Sequence, residues 1–164
     1  MRVLRKNVYV RPYVHTLFAE LFDLYDVALW SCNTKKYVDP ISRLVFGKYT
    51  DRLKFVWNNS HCSGGISFSE YARRKARGDA DDDTLRKDLD RIGAQQGPWL
   101  PEDIVLIDDT PKKMVGNGQG LIIVSPFVPS RESLADTTLV TLLDRINEHF
   151  FAKQQPQDSQ EADQ

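Results

Sequence analysis

The sequence predicts an α/β fold: a Rossmann-like, mostly parallel sheet with helices on both faces. Three observations lead there. Val27-Ala28-Leu29-Trp30 and Ile104-Val105-Leu106-Ile107 are short, wholly apolar runs, the pattern of strands buried on both faces. Such runs alternate with segments whose apolar residues recur at helical spacing. The two runs also end on polar groups, Ser31 after one and Asp108-Asp109 after the other. An open α/β sheet carries its chemistry at those carboxyl ends.

In chain order, Val8-Tyr9-Val10 is β-prone and closes on Arg11-Pro12, and Pro12 suits the first turn of a helix. Val14, Leu17, Phe18, Leu21 and Phe22 then mark one helical face. After the Val27–Trp30 strand, residues 34–47 read as a helix stopped by Gly47, and Leu53 to Trp57 as another strand. Residues 59–83 read as a solvated surface insertion. They open on Ser63-Gly64-Gly65 and carry Arg73, Arg74, Lys75 and Arg77 beside Asp79, Asp81, Asp82 and Asp83. Thr84 to Gly93 carries a short helix signal. Leu121–Val124 reads as a strand, and residues 131–151 as a final amphipathic helix through Leu134, Leu139, Leu142, Leu143 and Ile146. The Gln- and Asp-rich stretch 152–164 reads as a disordered tail, leaving one domain over 1–151.

Composition excludes several function classes. With 164 residues, 41% hydrophobic and 27% charged, the chain suits one globular core. A net charge of -1 gives no basic field for nucleic acid, and the basic and acidic runs of the insertion cancel. No apolar run reaches the ~20 residues of a membrane span. Cys32 and Cys62 stand alone, without CxxC or zinc spacing. Two cysteines suit a reducing compartment inside the cell, nucleus or cytoplasm. Gly116, Gly118 and Gly120 do not form the GxGxxG fingerprint of dinucleotide sites.

Adjacent carboxylates leaving a buried strand are costly unless they meet a cation or donors. Asp108 and Asp109 therefore read either as a hard-metal site suited to Mg²⁺ or as the cap of a following helix. Ser31 reads equally as an N-cap, and Lys87 in isolation as a solvated helix lysine.

The order RPYV, a strand ending in WS, YVDP, KDL, and a strand ending in DDTP resembles the C-terminal-domain phosphatase (NLI-interacting-factor) family of the haloacid dehalogenase superfamily. The resemblance runs from about Val8 to Phe150, and KFVWNNSHC resembles a branch of that family found in plants and fungi. It implies a haloacid-dehalogenase-like fold and Mg²⁺-dependent removal of phosphate from phosphoserine or phosphothreonine on a protein. By the same resemblance Ser31 and Lys87 bind the phosphoryl group, and Asp108 and Asp109 position Mg²⁺. A monomer acting on a phosphoprotein is the implied state.

One departure bears on activity. The family's first motif, DxDx(T/V), supplies the nucleophile and the acid/base, and it is not found here. Asp88-Leu89-Asp90 has the spacing but no apolar strand before it, and the acidic run has Ala80 where an Asp is required. An aspartyl-phosphate mechanism needs that nucleophile. The chain as it stands is expected to be catalytically incomplete, its sheet lacking the central first strand and its natural polypeptide starting upstream of Met1. Three readings stay open: an enzyme seen in part, a pseudo-phosphatase that binds without turnover, and a component resembling a mitochondrial import receptor.

Overall fold

The computed structural model describes residues 2–64, 73–74, 76–78, 85–115 and 120–152. The Gly116–Gly118 stretch and most of 65–84 lie outside them, as do residues 153–164 of the expected tail. The architecture is α/β, with helices around short parallel strand pairs.

The chain opens on a hairpin, β1 (Arg2–Val3) against β2 (Lys6–Asn7). Its two loop residues, Leu4 and Arg5, both have positive φ, at 48° and 66°. That is the primed turn whose twist matches a two-stranded ribbon. The local turn thus decides the pairing, and Val8–Val10, expected as a strand, lies outside the ladder.

Helix α1 (Val14–Leu24) buries Leu17, Phe18, Leu21 and Phe22, the face its spacing predicts. It starts after Tyr13, whose φ is 64°, so Pro12 precedes the helix rather than opening it. Phe18 and Phe22 meet α2 (Lys35–Phe46) and the turn after it. Phe18 stacks on Phe46 at 4.4 Å between ring centroids, and Phe22 stacks on Tyr49 at 4.8 Å. Helix α2 ends at Gly47, whose φ of 53° is readily adopted only by glycine.

Strand β3 (Leu29–Trp30) runs parallel to β4 (Val56–Trp57). Backbone bonds extend that ladder, from Lys54 N–H to Val27 O at 2.9 Å and from Ser31 N–H to Trp57 O at 3.0 Å. Strand β5 (Lys87–Asp88) pairs in parallel with β7 (Met114–Val115), and β6 (Leu106–Asp108) with β8 (Leu121–Ile123). Among the described residues no ladder joins β3 to β6.

The helix expected over 84–93 is displaced. Lys87 and Asp88 are extended, and α3 covers Asp90–Gln96. Partnership with β7 outweighs helix propensity there. The last helix also shortens, α4 running Leu142–Ala152. A 3₁₀ turn covers Glu132–Ala135, leaving Leu134 77% exposed. Asp136 breaks the pattern: one of its oxygens accepts the Thr138 N–H at 2.8 Å and the other is held by Arg11 at 2.7 Å. Its side chain thereby offers the backbone an alternative to helix.

Leu142 and Ile146 of α4 close over Leu17 and Leu21 of α1, with Ile122 beneath. Burying each such side chain contributes roughly 1.5–3 kcal/mol. A separate cluster of Trp30, Trp57, Leu89 and Ile92 sits under the carboxyl end of β3.

Candidate functional site

Two loops follow β3 and β4 and are tied together. The Asn59 N–H donates to Asn33 O at 2.9 Å, joining the β3 loop to the 3₁₀ turn Asn59–His61. Asn58 caps that turn, its side chain accepting from Ser60 N–H at 3.0 Å, while His61 stacks on Trp57 at 5.0 Å. The start of the expected 59–83 insertion is therefore built into the sheet's carboxyl edge. Ser63 and Arg86 then exchange two backbone bonds of 2.7 Å. That bridge delivers the chain into β5 and sets Lys87.

Lys87 is 5% exposed. Its ammonium pairs with Asp108 Oδ2 at the end of β6. A solvated helix position, the reading of Lys87 in isolation, is corrected here: the residue lies on a strand with its charge buried against a carboxylate. Unpaired charge is excluded from such an interior, so the pair is the condition for burial. The second oxygen of Asp108 accepts the Thr110 N–H at 2.8 Å. Burial pushes the Asp108 carboxyl up, but the Lys87 ammonium and the Thr110 amide outweigh it and hold the group below the ordinary carboxylate value.

Asp109 is exposed one residue on and accepts the Thr110 hydroxyl at 2.9 Å. The helix cap considered for Asp109-Thr110-Pro111 resolves to one 3₁₀ turn, Pro111–Lys113. Ser31 stands at the end of β3, its Oγ accepting from Asn33 N–H at 3.2 Å and from the Asn33 amide at 3.3 Å. The residue capping α2 is Thr34, not Ser31.

Next to Ser31, Cys32 feels the charges of Lys87, Lys113 and Asp108, which places the β3 loop and the Lys87–Asp108 pair in one electrostatic neighbourhood. Cys32 also lies 3.5 Å from the Cys62 sulfur. Sequence spacing hides this contact, since thirty positions separate the two residues. The clue was the strand order: parallel pairing of β3 and β4 puts both following loops at one edge.

Among the described residues no group of three or more His, Cys, Asp or Glu side chains comes together as a metal cage. Mg²⁺ keeps several waters, however, and needs only one or two carboxylates when a substrate phosphate completes the shell. Asp109, exposed beside Asp108, fits that lesser requirement. No described helix is long and apolar enough to cross a membrane.

A family model described as NLI interacting factor-like phosphatase matches residues 2–155. No curated protein matches. Among solved structures, the chain is similar to an Arg-to-Ala variant of the fission yeast RNA polymerase II CTD phosphatase Fcp1 bound to beryllium fluoride. Identity is 19% and the TM-score 0.49, over 89% of this chain and 38% of that one. The chain thus spans well under half the length of that protein.

Proposed function

The chain belongs to the NLI interacting factor-like phosphatase family and is a protein phosphatase homologue; from that premise we propose that residues 1–151 form one domain that recognises phosphoserine or phosphothreonine on a partner protein, and that residues 1–164 by themselves bind it without hydrolysing it. The observation that supports this reading is the buried Lys87 ammonium, held by Asp108 at the end of β6, with Ser31 following the end of β3. A phosphoryl group needs charge neutralisation and positioned donors. Lys87 supplies the cation and Ser31 a hydroxyl. Asp109, with Asp108, would hold Mg²⁺, whose part when bound is to neutralise phosphoryl oxygens. Residues 1–164 contain no DxDx(T/V) motif, the family's source of the nucleophile that forms an aspartyl phosphate.

The test pairs turnover with binding. Purified protein with Mg²⁺ should release no para-nitrophenol from para-nitrophenyl phosphate. By calorimetry it should bind a phosphoserine peptide more tightly than the unphosphorylated one, with the preference lost in Lys87→Met. Turnover abolished by Asp109→Asn would sink the non-catalytic part. Equal binding of the two peptides would sink recognition.

A further inference from the structure

We propose that Cys32 and Cys62 form a reversible intramolecular disulfide under peroxide, a modification site built into the loops that carry Ser31. The geometry is specific. The two sulfurs are in contact at 3.5 Å, across the loops that follow the parallel strands β3 and β4. Neither loop is loosely held. The Ser31 N–H donates to Trp57 O at 3.0 Å, the Asn59 N–H to Asn33 O at 2.9 Å, and the Cys62 N–H to Asn59 O at 3.2 Å. Both cysteines are partly accessible, so a small oxidant reaches them. The buried Trp30 indole N–H meets no hydrogen-bond partner among the described groups. Bond formation requires the sulfurs to close from 3.5 Å to about 2 Å.

The surroundings divide the roles of the two thiols. Donation from the Cys62 S–H, helped by the Lys87 and Lys113 ammoniums, brings the Cys32 thiol down to about 7 against burial and the Asp108 charge. Cys62 is pushed up, first by holding its proton toward Cys32, then by burial and the Cys32 charge. Cys32 is thus the thiolate, and reactivity follows thiolate character and access.

The steps balance. The Cys32 thiolate attacks one peroxide oxygen, the O–O bond breaks, and the departing hydroxide takes from solvent the proton that Cys32 released on ionising, giving water and leaving a sulfenic acid. The Cys62 sulfur then attacks the Cys32 sulfur and the S–O bond breaks. The departing hydroxide takes the Cys62 proton as a second water. Two thiols lose two electrons and one peroxide gains them.

The chain holds two cysteines, so any intramolecular disulfide is this one. Hydrogen peroxide on the full chain, read by intact mass under denaturing conditions, should remove two hydrogens per molecule. Dithiothreitol should restore them, and a digest should contain the Cys32 and Cys62 peptides joined. Cys62→Ser should instead trap a dimedone-reactive sulfenic acid at Cys32. Addition of oxygens without hydrogen loss in the wild type, or covalent dimers only, would overturn the proposal. So would dimedone labelling of Cys62 at the same rate in Cys32→Ser as of Cys32 in Cys62→Ser.

Discussion

The Lys87 ammonium and the Asp108 carboxylate form an ion pair with side chains only 7% and 10% exposed, joining the start of β5 to the end of β6. Such a pair is weak proof of net stabilisation, because desolvation offsets attraction, but removing one partner strands a buried charge. Asp108→Ala should therefore cost about 3–5 kcal/mol in urea unfolding. Replacing both, as Lys87→Met with Asp108→Leu, should recover most of that loss. The Asp108 carboxyl is held below its ordinary value, so the pair's contribution is complete above about pH 4–5. It is lost as pH falls through the lower folded value. A single substitution costing less than 1 kcal/mol would show that the charges are hydrated.

Arg11 binds the Asp136 carboxylate through two nitrogens, at 2.7 and 3.1 Å, and also reaches Thr138 Oγ1 and Ser125 O, each at 2.8 Å. The Arg11 guanidinium, with the Thr138 amide, brings the Asp136 carboxyl down to about 2. The sign follows from the depression: stability from this contact is present above the unfolded carboxylate value of about 3.9 and is lost between there and about 2. Carbon-detected NMR should show Asp136 titrating near 2 in the wild type and near the ordinary value in Arg11→Met. An unchanged midpoint would mean that the guanidinium is not the cause.

Gly120 precedes β8, and a Cβ there would lie 2.6 Å from the backbone oxygen of Ile104 and 3.4 Å from Leu89 Cδ1. A backbone carbonyl cannot swing aside as a side chain can. Gly120→Ala should cost about 1–3 kcal/mol by overpacking. Because β8 pairs with β6, amide exchange at Leu106–Asp108 should accelerate with it. A thermal midpoint equal to wild type would show that the strands separate at little cost.

Helix α1 was legible because its whole apolar face is local: four of its five marked residues are buried where the 3.6-residue period puts them. The apolar runs Val27–Trp30 and Ile104–Ile107 were legible as places where strands form, although the strands themselves are shorter, Leu29–Trp30 and Leu106–Asp108. Lys87 was not. Nothing in KDL reveals that β7 pairs with it from the far side of α3 and β6, so the helix-like composition of the segment misleads. The apolar period across 131–151 misled for the opposite reason, since Asp136 engages Arg11 from 125 positions away. At the site, the order of the polar groups marked Ser31, Asp108 and Asp109 correctly as strand-end residues. The Cys32–Cys62 contact depends on parallel register, which spacing along one chain cannot encode.

The docking of α4 on α1 has a consequence in time. Leu17 and Leu21 are covered by Leu142 and Ile146, and the Tyr25 hydroxyl donates to Asn147 across 122 positions. Synthesis runs from the amino end at roughly 5–20 residues per second, so on the order of ten seconds separates the emergence of the two helices. During that interval the α1 face is apolar and uncovered, open to chaperones or to another nascent chain. Closing so long a loop is also entropically slow, which makes α4 docking a late event in refolding from denaturant. Residues 142–146 therefore complete the burial of this face of α1, and a ribosome stalled before Leu142 would present Leu17 and Leu21 still exposed.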